Sequence, residues 1–443
     1  MINKLKDLSE IIKHLENGSI TSNELVRHYL NKINLLDKDY NSISSINKTA
    51  FKIAKKLDLE RKNNSIRSKL HGIPILIKDN IDLKGTNNTA NSYIMRNNLS
   101  KKDAEIVKIL KDNGLIIIGK ANLSEWAYFM SDKKMPSGFG SLNGQVKHAF
   151  NNKIDPLGSS TGSAVAVALN FSPISIGTET NGSLIAPAYQ NQIVSLRPTY
   201  GLLSNKGIIP ISFFQDTPGP MAKNVYDLAL LFEVMTNKEI TKDLDNTKEF
   251  KIGILNFSNY PNDKNDNEII NEMKETLKYC CTYKILNMKY TPVDNSETLF
   301  YEMKYSLNKY LEKNDNPEIK SLDDIIKLNI KNKERCLKYG QDLLIKSNNT
   351  SGKIDDPDYI YKRRKLLDKS QLFENILYEN NLDAIVSTRW IGETPIIGLP
   401  SIVVPSFYKN DVVKSLVFFG KKNQDETLIK IAYKYEKERK KFI

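Results

Sequence analysis

Cysteine is almost missing from this 443-residue chain, which carries only Cys280, Cys281 and Cys336. An odd number, with two of them adjacent, excludes the spaced disulfide framework of a small secreted protein and points to a reducing compartment, the cytoplasm. Histidine is as scarce. His14, His28, His71 and His148 all precede residue 149, and no HExxH, paired CxxC or other ligand spacing is present, so no hydrolytic metal is expected. Also missing are a run of about twenty apolar residues and a signal-peptide core, because residues 1–16 interleave charge with apolar side chains. No internal repeat and no long low-complexity linker occurs. These absences predict a soluble protein without a membrane segment.

What is present is an ordinary globular composition, 40% hydrophobic and 26% charged, over a length that allows a large buried core. Lysine and arginine number 65 against 52 acidic residues, a net charge of +13. Such a surplus could serve an anionic partner. The lysines, however, are scattered among Asn, Asp and Glu, as across 261–267 and 327–333, rather than gathered with interleaved aromatics. The densest runs, Lys362–Lys365 and Arg439–Lys441, fall in helical patterns where a solvated face is the default. Nucleic-acid binding is therefore not expected.

Along the chain, Leu8, Ile11, Ile12 and Leu15 give an amphipathic helix over 7–17 closed by Gly18, and Thr21 with Glu24 reads as a capping box opening a second helix to about Leu36. Ile73–Ile77 is a short apolar run that reads as a buried strand ending at Lys78. A helix over 103–112 is stopped by Gly114, and Leu115–Ile118 is another buried strand. Residues 157–163 read as a Gly/Ser/Thr loop, Ala164–Leu169 as a tightly packed helix start, Ile174–Gly177 as the beginning of a strand and 178–183 as a second loop. From 243 to 380 the chain is polar and mostly helical in pattern, apart from the strand-like Lys251–Leu255. Strands return at Leu382–Val386, Ser401–Val404 and Leu416–Phe419, before a helix from Glu426 to Lys441. The alternation of helix and strand makes the class α/β.

Three segments could carry chemistry. Lys78 ends an apolar strand, where burial favours the neutral amine and hence a general base; from this segment alone it reads more readily as a strand cap paired with Asp79 or Asp82. Gly158–Ser163 offers several hydroxyls on a backbone that glycine lets bend, but it lacks the lysine that a phosphate-binding loop places after its second glycine. Gly177–Ser183 places a serine just after a glycine-containing turn, where consecutive backbone N–H groups could face an oxyanion. Each signal alone is weak.

Together the three segments resemble the amidase-signature family, which uses a Ser-Ser-Lys triad. In this chain the matching residues are Lys78 in Lys78-Asp79-Asn80, Ser159 in Gly158–Ser163, and Ser183 in Gly177–Ser183, with 183 − 159 = 24 residues between the serines. The stretches Gly119–Trp126, Asn143–Gln145, Leu196–Gly201, Ile208–Ser212 and Gln215–Pro220 also resemble the family, the last of them its peptide-amidase branch. The resemblance implies one domain over 1–443 built on a mixed central sheet flanked by helices. Within it, 70–235 would be the signature core, 243–380 a mostly helical periphery, and 381–443 strands and a helix completing the fold.

The resemblance also implies a mechanism. Neutral Lys78 would take a proton from Ser159 as Ser159 takes one from the nucleophile Ser183. A cis peptide would precede Ser159, and the N–H groups of Thr180, Asn181, Gly182 and Ser183 would form the oxyanion hole. The substrate would be a small-molecule or peptide amide, and no cofactor or metal is called for. The chain departs from the family pattern at Asn181, at Thr161, at Ile185, where many members carry the arginine that partners Glu179, and in a shortened 388–398 region. Two other uses of the fold are open: the glutamine-hydrolysing A subunit of a glutamyl-tRNA(Gln) amidotransferase, and a non-catalytic scaffold.

Overall fold

A computed structural model describes residues 2, 5, 7–245, 249–259, 264–313, 316–409 and 412–439. Its strands are β1 (Ile43–Ile46), β2 (Pro74–Lys78), β3 (Ile116–Ala121), β4 (Phe139–Gly140), β5 (Gly144–Gln145), β6 (Ile174–Glu179), β7 (Val194–Arg197), β8 (Thr217–Ala222), β9 (Phe250–Phe257), β10 (Cys281–Met288), β11 (Ala384–Ser387), β12 (Ser401–Lys409) and β13 (Val412–Gly420). Among the described residues, eleven of these form one mixed sheet in the order β1-β3-β2-β6-β8-β7-β12-β13-β11-β9-β10. Strands β4 and β5 make a separate hairpin.

The position of β2 explains its composition. It lies between β3 and β6, parallel to both, so all five of its residues are buried and the strand reads as an unbroken apolar run up to Lys78. Strand β10 was not anticipated. It sits at the sheet edge with only its first residue buried, and its mixed polar sequence therefore merges with the Lys/Asn-rich surroundings. Strands β7 and β8 also escaped, the first being four residues long and the second, Thr217–Ala222, holding two prolines and a glycine.

Helices cover the sheet. The capping box of Thr21 and Glu24 opens the helix Ser22–Leu36, and the closing helix Asp425–Arg439 buries Leu428, Ile429, Ile431, Ala432 and Tyr435; Lys440 and Lys441 lie outside the described residues. The helix after the first serine loop begins at Thr161, three residues before the expected Ala164. Gly162 permits this, since a Cβ there would lie 2.3 Å from the Ser42 carbonyl and 2.5 Å from that of Asn122. Helices from Ser296 to Asn348 form a second apolar core with Ile94, Met95, Trp126 and Met130. That core ties the helical region to the segment bordering the site.

Candidate active site

The three sequence-selected residues converge. Strand β2 ends at Lys78, β6 runs beside it toward Glu179, and the loop before the helix Thr161–Ala168 carries Ser159 between them. Lys78 Nζ lies 2.8 Å from Ser159 Oγ, 2.9 Å from Ser160 Oγ and 3.1 Å from the Thr178 carbonyl. Ser159 Oγ lies 2.9 Å from Ser183 Oγ. The peptide joining Gly158 to Ser159 is cis. Lys78 and Ser159 are completely buried while Ser183 keeps 7% of its surface, so Ser183 is the end of this chain of contacts that solvent reaches.

Neither acid that might have capped Lys78 does so. Asp79 pairs with Lys120 at 3.1 Å, and Asp82 accepts from Ser100, Asn88 and Tyr310. Left without a directly paired carboxylate, Lys78 is pushed by burial down to a pKa of about 7, against the pull of Asp216 and Glu179. When charged, Lys78 donates to Ser159, which donates to Ser183. When neutral, its lone pair accepts from Ser159, and Ser159 can then accept from Ser183. The geometry of these three atoms permits proton transfer in either direction.

Ser160 was not singled out from the sequence, yet it decides which serine can relay. Its hydroxyl donates to the Thr178 carbonyl at 2.9 Å and accepts from the Thr178 N–H at 3.2 Å. Its one proton is therefore committed, whereas that of Ser159 lies on the line between Lys78 and Ser183.

The loop ahead of Ser183 is held from behind. The Thr180 carbonyl accepts from Gln215 Nε2 at 2.8 Å and from Arg197 at 3.4 Å, and Thr180 Oγ1 donates to Asp216 at 2.5 Å. Asp216 also accepts from the N–H groups of Ile211 and Ser212, and burial pushes its carboxyl up to about 6. Gly182 turns the loop with a φ of +79°, in the left-handed region that favours glycine. Among the described residues, the N–H groups of Thr180, Asn181, Gly182 and Ser183 have no hydrogen-bond partner, the state an oxyanion site needs.

With Ile185 following the nucleophile, Glu179 has no arginine at that position, but the buried Arg197 of β7 reaches it at 3.5 Å and also holds its carbonyl at 3.1 Å. The Glu179 carboxylate accepts from the N–H groups of Leu184 and Ile185, fixing the start of the helix Ile185–Gln190 behind the serine. The segment 388–398 contributes a wall: Asn181 Nδ2 donates to the Gly392 carbonyl at 3.1 Å, and a Cβ on Gly182 would lie 3.3 Å from the Trp390 indole nitrogen. The histidines stand apart, His71 and His148 bonding to the carbonyls of Leu57 and Gln190. Among the described residues no group of three or more His, Cys, Asp or Glu could hold a metal ion. Among them, too, no helix is long and apolar enough to cross a membrane.

A chain of polar contacts from buried Lys78 and Ser159 to the partly exposed Ser183, beside unpaired N–H groups, has a geometry suited to acyl transfer. The family model described as Amidase matches residues 24–429. A probable amidase of Arabidopsis thaliana is 32% identical over 94% of this chain and 86% of its own length. The peptide amidase of Stenotrophomonas maltophilia superposes with a TM-score of 0.91 at 31% identity, covering 99% of this chain and 97% of that one. The A subunit of the glutamyl-tRNA(Gln) amidotransferase of Protochlamydia amoebophila is 37% identical, but over 51% of this chain and 45% of that protein. The chain belongs to the amidase family and is an amidase.

Proposed function

We propose that this amidase hydrolyses a carboxylic amide through an acyl-enzyme on Ser183. The observation that carries the reading is the continuous contact from Lys78 Nζ through Ser159 Oγ to Ser183 Oγ, at 2.8 and 2.9 Å. As Ser183 Oγ bonds to the amide carbon, its proton passes to Ser159 and that of Ser159 to neutral Lys78. The carbonyl electrons move onto oxygen, opposite the N–H groups of Thr180, Asn181, Gly182 and Ser183. Collapse breaks the C–N bond, and the leaving nitrogen takes a proton back through Ser159 from Lys78. Water then attacks the ester, giving its proton to the same relay, and the acid leaves with Ser183 restored.

The likeness to a peptide amidase over nearly the whole chain favours a peptide or small-molecule amide as substrate. The likeness to an amidotransferase component, confined to about half of each chain, favours a second reading in which glutamine is cleaved only beside a partner. Ammonia release from C-terminally amidated peptides and simple aliphatic and aromatic amides, compared with Ser183→Ala, tests both. Release that the substitution abolishes supports the first reading. Silence from folded protein toward every amide, with glutaminase activity appearing on addition of amidotransferase partner proteins, would replace it by the second.

A further inference from the structure

A large open groove lies away from Ser183. It encloses about 760 Å³ between the β4–β5 hairpin and residues 333–338, a volume in the range of ligand sites. Its walls bring three cations together, Lys333, Arg335 and Lys338, against a single carboxylate, Glu334. All three cations are exposed, and none has a carboxylate partner among the described residues. Lys338 stands 5.4 Å from the Phe139 ring, and Arg335 and Arg96 both stack on Tyr93, at 5.2 and 4.2 Å. The groove therefore pairs surplus positive charge with aromatic faces.

It is also preformed. Arg335 donates to the carbonyls of Ser141 and Leu142, and the buried Glu125 accepts from both the N–H and the hydroxyl of Ser141, so the hairpin is gripped from the front and from below. The turn leading into that hairpin abuts the loop that carries Ser159. A Cβ on Gly158 would lie 3.6 Å from Ser137 Cβ, and one on Gly138 would lie 2.9 Å from Thr161. The groove wall is thus continuous with the backbone that holds Ser159.

We propose that this groove binds the acidic part of an extended peptide substrate, making the enzyme selective for C-terminally amidated peptides that carry Asp or Glu upstream of the amide. The inference rests on the amide-hydrolase reading and adds the substrate class. Lys333 and Lys338 would meet the carboxylates, while Arg335, whose donors hold the hairpin, would contribute charge without moving.

The test compares kcat/KM for acetylated hexapeptide amides of matched length bearing three Glu, three Gln or three Lys, in wild type and in Lys333→Glu/Lys338→Glu, with thermal melting as the folding check. Wild type is expected to prefer the acidic over the basic peptide by about tenfold or more, the size that two or three exposed charge pairs supply. The double variant is expected to lose that preference. Equal kcat/KM for the three peptides in wild type, or a preference that survives the double substitution, would overturn the proposal. If no peptide amide is turned over, the peptide-substrate part of the hydrolase reading has failed by itself. The groove is then judged by fluorescence anisotropy of the labelled peptides on Ser183→Ala: tighter binding of the acidic one, lost when Lys333 and Lys338 are also reversed, supports it, and its absence sinks it.

Discussion

The Gln215 amide holds the Thr180 carbonyl at 2.8 Å. Because the Thr180–Asn181 peptide is trans and planar, its N–H points opposite to that carbonyl, so Gln215 and Arg197 together aim the Asn181 N–H away from the protein interior. Gln215→Leu frees the carbonyl while leaving all four N–H groups present. It is expected to lower kcat by about tenfold or more, short of the hundredfold or greater loss on deleting such a donor, with KM changed much less. Equal changes in kcat and KM would show that Gln215 supports ground-state binding instead.

The two adjacent serines separate by role. Ser159→Ala breaks the path between Lys78 and Ser183 and is expected to cost about 10²–10⁴ in kcat, the usual reach of acid–base catalysis. Ser160→Ala removes one anchor of Lys78 and should cost about tenfold, the scale of one hydrogen bond. Steady-state rates on one amide decide it, and a reversed order would move the relay to Ser160.

Activity should rise with pH through about 7, where Lys78 loses its proton, and then level off. The negative charge of Asp216 raises the Lys78 pKa, so Asp216→Asn should lower it and move the acid limb of the kcat/KM profile to lower pH. A limb that stays in place or moves upward would disprove that coupling.

Arg197 is buried against Glu179 and donates to four backbone carbonyls within 3.4 Å, those of Glu179, Thr180, Gln215 and Pro395. Arg197→Met leaves a buried carboxylate without its cation and is expected to destabilise the protein by about 3–5 kcal/mol, read as a shift in the urea unfolding midpoint. A loss below about 1 kcal/mol would mean that the Leu184 and Ile185 N–H groups satisfy Glu179 unaided.

How much of this was legible in the sequence depends on range. Lys78 could be found because a fully buried strand leaves an apolar run that its charge ends, and Ser183 because a glycine turn precedes it, whereas Ser159 stood among several loop hydroxyls until the resemblance to the amidase-signature family picked it out. The commitment of the Ser160 hydroxyl could not, since it depends on which way the Thr178 backbone faces. Arg197 and Gln215 stood within family-like stretches, but their hold on Glu179 and Thr180 exists only after β6, β8 and β7 lie side by side. Trp390 reaches Gly182 from 208 positions away (390 − 182), a separation that no local pattern reports.

The order of the sheet bears on how the chain is made. Every strand from β1 to β8 lies on one side of the seam where Arg197 of β7 meets Ser401 of β12, and every strand from β9 to β13 on the other, the β4–β5 hairpin aside. A ribosome adding about 5–20 residues per second needs roughly 10–40 s to travel the 204 residues (401 − 197) between those two positions. During that interval the nascent chain already holds Lys78, Ser159 and Ser183, while the far side of β7 has nothing to pair with. An unpaired edge is an aggregation hazard. Its brevity, four residues ended by Pro198, limits how much of a stray strand could zip onto it before its own partner emerges.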